Sequence, residues 1–296
     1  MTLVNYYNET RDASGNLVSV TTDTNLPLPS EIRNRWCFGL PLSREDGNVM
    51  SDDDILQYLK GAIGQVERKI GIYLKPTKIV TNPGERGLVQ GTDFDKEEPA
   101  YDYDANAYRQ YGFLQLRERP VQSIEGFKMV LPNGNIIIDF YHDANTKKWV
   151  KLYKDSGQVN IVPYAGDPTL FALMGGNASG YPFATGQMNT NLPQMFYVDY
   201  TAGYALYKIP EDVRNVVAKI ASVDVLGIAG ESLLAGVASL STSIDGLSES
   251  FSTTASAENT TYGAHIYQYQ KEINDLFSLK GGALRSSERG ITFIGL

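Results

Sequence analysis

Histidine is the side chain that most often moves protons near neutral pH, and this sequence holds two, His142 and His265. His265 sits beside an apolar stripe and His142 follows a strand-like run, so each reads as a packing or surface residue. Two isolated histidines exclude a pair of imidazoles at helical spacing around a metal. The single cysteine, Cys37, lies in an aromatic patch, which makes it a small buried hydrophobe and rules out an internal disulfide. No Gly-x-x-x-x-Gly-Lys cradle, Gly-x-Gly-x-x-Gly turn or Gly-x-Ser-x-Gly elbow occurs. The carboxylates remain. Asp102-Tyr103-Asp104-Ala105-Asn106 opens like a calcium loop, but Ala107 stands where the sharp turn needs Gly and Phe113 where the bidentate Glu belongs. The wider run Asp93, Asp95, Glu97, Glu98, Asp102 and Asp104 reads as a solvated loop, or as a repulsive surface past which a polyanion such as DNA slides without sticking. No cofactor or metal is expected. The catalytic alternative is a hydrolase working with an Asp/Glu pair alone.

The elements that would position these groups follow from periodicity. Ser51 with Asp52, Asp53 and Asp54 forms a capping box ahead of Ile55, Leu59, Ile63, Val66 and Ile70, and Gly71 stops the helix. The three aspartates serve as cap and first-turn charge rather than as ligands, because consecutive helical positions point apart. Gly61 and Gly64 share one face and weaken this helix unless another backbone comes close there. From Lys78 to Thr201 the period is two. Val121–Val130 and Asn135–Tyr141 flank an Asn133-Gly134 turn, Trp149–Lys154 and Gln158–Val162 flank Asp155-Ser156-Gly157, and further strands are expected near 78–80, 113–117 and 195–201. Residues 166–193 have the composition of a loop. Ile209-Pro210-Glu211-Asp212 opens a second helix through Val213, Val216, Val217 and Ile220. The Ser/Thr-rich stretch 231–257 also carries Leu240, Ile244, Leu247 and Phe251 at spacings of three and four, and helix and tethered loop both stay open there. Tyr262, Ile266, Tyr269, Ile273 and Leu276 mark a last helix within 258–280, ended by Gly281-Gly282.

The expected class is therefore α+β: a helical bundle core, with long helices near 51–71, 210–230 and 258–280, into which an antiparallel β domain is inserted. In domain terms, 1–50 is an extended N-terminal arm, 51–77 and 202–282 the helical core, 78–201 the β-rich insertion and 283–296 a C-terminal tail. The arm is either a disordered terminus or a strap against a neighbouring chain, and Trp36, Phe38 and Leu40 favour the strap. In 296 residues there are 34 acidic and 26 basic side chains, a formal charge of −8 with no basic stripe, which argues against gripping nucleic acid through its phosphates. The apolar stretch 213–240 is broken by Lys219, Asp224 and Glu231, so no membrane span is expected. Nineteen tyrosines beside two tryptophans suit protein–protein surfaces, although a scattered core Tyr with a satisfied hydroxyl is, residue by residue, the commoner reading.

The order of several segments is more specific. The Asp-capped helix with Ala62-Ile63-Gly64-Gln65-Val66-Glu67-Arg68-Lys69-Ile70-Gly71, Arg119-Pro120-Val121-Gln122-Ser123-Ile124 entering a strand, and Tyr200-Thr201-Ala202-Gly203-Tyr204 before Ile209-Pro210-Glu211-Asp212-Val213 come in that order. With Ser241–Ser250 and the last helix, this succession resembles the head–tail connector (adaptor, or head-completion) family of tailed bacteriophages. The resemblance covers about 51–75, 113–130 and 196–280. It implies a structural virion protein of the neck, not an enzyme: a homo-oligomeric ring, commonly of twelve copies, under the portal protein, bridging it to stopper or tail proteins around the DNA channel. Assembly would take place in the host cytoplasm. A stopper, a tail-terminator or another neck or tail structural protein is the near alternative. The family habit of reaching the portal with the C-terminal segment maps onto Arg285, Arg289, Ile291, Phe293, Ile294 and Leu296. Tyr262, Ile266, Tyr269, Ile273 and Leu276 are the candidates for packing between subunits, and the six-carboxylate run for facing the channel, where packaged DNA passes without sequence-specific binding.

Overall fold

The computed structural model describes residues 6–38, 40–43, 47–103, 113–130, 134–142, 144, 146–161, 192–234, 239–244, 247–252 and 262–277. In chain order the strands are β1 (Asn8–Arg11), β2 (Leu17–Thr21), β3 (Thr77–Thr81), β4 (Lys96–Glu98), β5 (Tyr101–Tyr103), β6 (Phe113–Gln115), β7 (Val121–Val130), β8 (Ile136–Asp139), β9 (Val150–Tyr153), β10 (Gln158–Ile161), β11 (Leu192–Ala202), β12 (Ser239–Ile244) and β13 (Leu247–Ser252). The helices are α1 (Pro29–Glu31), α2 (Asp52–Ile70), α3 (Glu211–Leu234) and α4 (Gly263–Phe277). The chain divides into two compact units, Ile72–Ala205 and, combined, Asn5–Gly71 with Leu206–Thr292.

The helical-bundle core expected from the sequence is not the architecture. Among the described residues thirteen strands in four sheets dominate, and of four helices the first is a single turn. Part of the reason lies in residues 239–252. Leu240, Ile244, Leu247 and Phe251 fit a helical spacing, yet the segment is the hairpin β12–β13, with Leu240 opposite Phe251, Thr242 opposite Glu249 and Ile244 opposite Leu247. Serine occupies every other position, Ser239, Ser241 and Ser243 opposite Ser252, Ser250 and Ser248. Strand alternation explains that pattern and a helix does not.

The sheet unit is built on β11, which pairs antiparallel with β3, β5 and β7; the sheet runs β4-β3-β11-β7-β8. A second sheet, β6-β10-β9, completes it. Alternate residues of β11, Phe196, Val198 and Tyr200, are buried among Phe127, Met129, Phe140, Trp149 and Val159. The Phe127 ring lies 4.8 Å from that of Phe140 and 5.9 Å from that of Phe196. Gly203 ends the spine at φ 106°, and a Cβ there would stand 2.5 Å from the Lys75 carbonyl and 2.7 Å from that of Tyr73. Only glycine fits.

In the helical unit, Ser51 Oγ accepts from the Asp54 amide at 3.2 Å while the Asp54 carboxylate accepts from the Ser51 amide at 2.9 Å, and Gly71 closes α2 at φ 71°. Ile55, Leu56, Leu59, Ala62, Ile63 and Val66 form the buried face of α2. Gly61 and Gly64 have no close backbone against them among the described residues: a Cβ on either would meet nothing within 4 Å. Residues 6–50 are part of this unit rather than an arm reaching away from it. Tyr7, Leu26, Ile32 and Trp36 are buried, and Tyr7 donates to the Pro27 carbonyl at 2.8 Å. Asn25 holds the start of α3 from both sides, donating to the Ile209 carbonyl at 2.9 Å and accepting from its amide at 3.2 Å. Arg214 donates to both Glu31 oxygens at 2.7 and 2.8 Å and to the Asn25 carbonyl at 2.6 Å.

Candidate functional site

The acidic run is the densest chemistry in the sequence, and the structure takes it apart residue by residue. Glu98, at the end of β4, is 4% exposed in the sheet unit. Its carboxylate accepts from the Tyr101 hydroxyl at 2.5 Å and from the Tyr200 hydroxyl at 3.3 Å. The same two hydroxyls accept from the backbone amides of Arg117 and Glu118, each at 3.2 Å. Arg117 lies over the Tyr101 ring at 4.0 Å, donates to the Pro99 carbonyl at 2.5 Å and stands 3.8 Å from the Glu98 carboxylate. Lys96 pairs with Glu118 and lies 5.4 Å over the Tyr73 ring.

Burial pushes the Glu98 carboxyl above the usual carboxylate range, against the pull of the Tyr101 hydrogen bond and the Arg117 charge. Burial likewise raises the Tyr101 and Tyr200 hydroxyls, which stay protonated and donate. Each tyrosine thus relays between a buried carboxylate and a backbone amide in the connection from β6 to β7. The arrangement can accept a proton, and its carboxylate is spent on the protein's own hydroxyls. It is a structural hub.

Its neighbours in the run have local tasks. Asp93 accepts from the Val89 amide at 2.8 Å, Asp95 from that of Lys78 at 2.8 Å and Asp102 from that of Gln194 at 2.7 Å. Glu97 and Asp102 are exposed, and Asp104 lies outside the described residues. The six residues therefore do not present one common acidic surface. Among the described residues no group of three or more His, Cys, Asp or Glu could hold a metal ion, and no helix is long and apolar enough to cross a membrane.

The candidates for packing between subunits sit in the helical unit. Tyr262, Ile266 and Ile273 are buried and Tyr269 and Leu276 half-buried against their own chain. Tyr262 donates to the Pro41 carbonyl at 2.7 Å, Tyr269 to that of Trp36 at 2.9 Å, and Lys219 of α3 pairs with Glu272 of α4 at 2.5 Å. Two tyrosines of this stripe are thus held from within the chain, by Trp36 and Pro41 of the segment expected as an arm. Arg285, Arg289, Ile291, Phe293, Ile294 and Leu296 lie outside the described residues. Cys37 is buried, and burial raises its thiol to about 11, which keeps it unreactive. His142 is exposed and hydrogen-bonded to Asp139 at 2.8 Å; His265 rests edge-on to Tyr269 at 6.3 Å.

Sequence reasoning missed Glu98 as a buried hub. The signal available was its place in Glu98-Pro99-Ala100-Tyr101-Asp102-Tyr103, where buried and exposed residues alternate through β5.

No protein-family model matches the chain, and no curated protein does. Among solved structures it is similar to a chain of the virion of a native gene transfer agent particle, 17% identical over 89% of this chain and 94% of that one, with a TM-score of 0.37. It is similar also to a chain of the neck of an empty gene transfer agent particle computed with C6 symmetry, 15% identical over the same shares, with a TM-score of 0.35. Superpositions at this level do not establish a common fold, and the functional reading rests on the residues themselves.

Proposed function

We propose that the chain is a structural protein of a phage neck, a head–tail adaptor that forms a ring below the portal protein and joins it to the stopper or tail. The observation that carries the reading is that two segments of the resemblance, 119–124 and 200–204, meet in space. The Gly203 amide donates to the Pro120 carbonyl at 2.8 Å, and the Tyr204 amide donates to that of Tyr73, just past the end of the Ala62–Gly71 motif, at 3.0 Å. Gly203 fits only because it lacks a Cβ, so the motif glycine is explained by the contact. Glu97 and Asp102, the exposed members of the acidic run, are assigned to the DNA channel, and the segment 285–296 to the portal.

The test is electron microscopy of DNA-filled, tailless phage heads incubated with the purified chain. Annular density at the portal vertex supports the adaptor. A chain that stays monomeric and ignores the vertex overturns it, and density appearing only after another neck protein has bound moves the assignment to a stopper or tail-terminator. Truncation after Leu279 should leave the far-ultraviolet circular dichroism unchanged and abolish vertex binding. Binding that survives truncation removes the tail's role.

A further inference from the structure

Two surface features of the helical unit carry opposite charges and uncovered apolar side chains. The first lies after α1, where the chain continues as a π-helical turn, Ile32–Trp36. Phe38 is 82% exposed and borders an open hollow lined by Ser30, Glu31, Asn34 and Arg35. Glu31 is neutralised by Arg214, and nearby Arg33 is paired with Asp52 at 2.8 Å. Arg35 is exposed, its guanidinium over the Trp36 ring at 4.8 Å, with no carboxylate in reach among the described residues. The hollow therefore presents a stacked cation beside a bare phenyl ring. An exposed aromatic next to an unpaired arginine is the composition of an interface anchor.

The second feature lies on α3. Ile220, Asp224 and Ile228 follow one another at intervals of four, and exposure grows along the stripe from 7% at Ile220 to 40% at Ile228. Asp224 is half-buried, and burial alone pushes its carboxyl up. No cation or hydrogen-bond donor reaches it among the described residues, and Lys219, the basic residue of the preceding turn, is held by Glu272. A carboxylate losing water without gaining a partner is costly unless something supplies the counter-charge. At Gly227, in the same turn as Ile228, an added Cβ would meet nothing within 4 Å, so among the described residues nothing covers this position.

Each feature lacks what the other holds. Arg35 and Phe38 line one hollow, and Asp224 and Ile228 stand four apart on α3, about 5–6 Å between their Cβ atoms. We propose that Arg35 and Phe38 of one copy dock on Asp224, Gly227 and Ile228 of a second copy, the guanidinium on the carboxylate and the phenyl ring over Gly227 against Ile228. A contact between two different surfaces can repeat head-to-tail from copy to copy, and where the rotation between neighbours closes it makes a ring. This inference rests on the ring reading given above and names the residues of its subunit contact.

The experiment measures ring occupancy at the portal vertex for the full chain and its variants. Arg35→Asp and Asp224→Arg should each lower occupancy at least tenfold, and the double variant should recover most of it, because the charges then face each other reversed. Phe38→Ala, at an exposed position that folding does not use, should lower it several-fold. Circular dichroism checks that each variant folds; should Asp224→Arg unfold, Arg35→Asp and Phe38→Ala carry the test. A wild-type chain that makes no ring defeats the adaptor reading itself. Wild-type rings that persist in Arg35→Asp and Phe38→Ala overturn the contact and leave the adaptor standing. Folded single variants that fail without rescue in the double variant assign the surfaces to another protein of the neck, which also overturns it.

Discussion

The two units use acidic side chains in opposite ways. In the sheet unit Glu98 is enclosed, its carboxyl raised by burial, and its value lies in accepting from two tyrosine hydroxyls that in turn hold backbone amides. In the helical unit Glu9 accepts from Lys60 at 2.5 Å and from Arg11 at 2.7 Å, and Asp53 from Arg11 at 2.7 Å, close to solvent. There the Lys60 hydrogen bond lowers the Glu9 carboxyl and the Arg11 hydrogen bond lowers that of Asp53. The difference teaches that burial changes a carboxylate from a charge into a hydrogen-bond hub. Deleting the hub leaves a buried donor orphaned, whereas deleting one surface charge leaves its partners to water.

The contrast should be easiest to break in the sheet unit. Gly203→Ala forces a Cβ to within 2.5 Å of one carbonyl and 2.7 Å of another at φ 106°. With backbone on both sides and no flexible side chain to yield, a loss of about 4 kcal/mol is expected, in the range of the severest single substitutions. Urea unfolding followed by tryptophan fluorescence should report it, since Trp149 is buried in this unit; an unchanged midpoint would refute the close approach. Glu98→Ala comes next. It strips the Glu98 acceptor from the Tyr101 and Tyr200 hydroxyls, which stand 3.3 Å apart so that one can donate to the other; the one buried donor left over costs about 1–3 kcal/mol.

Glu98→Gln sharpens the point through pH. A group whose carboxyl is raised on folding contributes stability that is full below its ordinary value of 4.5 and is lost as pH rises through the folded value. The stability of Glu98→Gln relative to wild type should therefore increase as pH rises from below 4.5 toward neutrality. Glu9→Gln should behave in reverse, because the contribution of Glu9 is present above 4.5 and lost as pH falls below it. At neutral pH the Glu9 effect should stay under about 1 kcal/mol, since the pair is screened by solvent. Parallel slopes for the two variants would erase the distinction between the units.

How much of this was legible depended on how far apart the interacting residues are in sequence. α2 was readable because its cap, its apolar spacing and its glycine stop all lie within about twenty residues. The β7–β8 hairpin was readable because Asn133-Gly134 stands between two apolar runs. The β12–β13 hairpin was obscured by a coincidence of parity. Leu240 and Ile244 fall on even positions and Leu247 and Phe251 on odd ones, so the register that pairs Leu240 with Phe251 and Ile244 with Leu247 imitates a helical interval in sequence. The serines between them carried the strand signal. Glu98 was illegible as a hub because its partner Tyr200 arrives from β11, across the sheet, and sequence spacing holds no trace of that pairing. The cover on α4 was illegible for the same reason: Pro41 and Trp36, whose carbonyls accept from Tyr262 and Tyr269, belong to the opposite end of the chain.

In the helical unit the expected effects are smaller, and one has the opposite sign. Ser51→Ala removes the acceptor for the Asp54 amide and should cost about 1 kcal/mol, the usual value of an N-cap. Gly61→Ala should stabilise. Glycine inside a helix is disfavoured by about 0.5–1 kcal/mol relative to alanine because more backbone entropy is lost on folding. At Gly203 that freedom is used, since the conformation and the neighbouring carbonyls admit nothing else. At Gly61 it is not, because the residue is helical and exposed and a Cβ would meet nothing within 4 Å. A rise of about 0.5–1 kcal/mol in the unfolding free energy is therefore expected for the isolated chain. If Gly61→Ala instead lowers the occupancy of the ring while raising the stability of the monomer, the open face of α2 receives a neighbour's backbone, and its glycine serves assembly rather than folding.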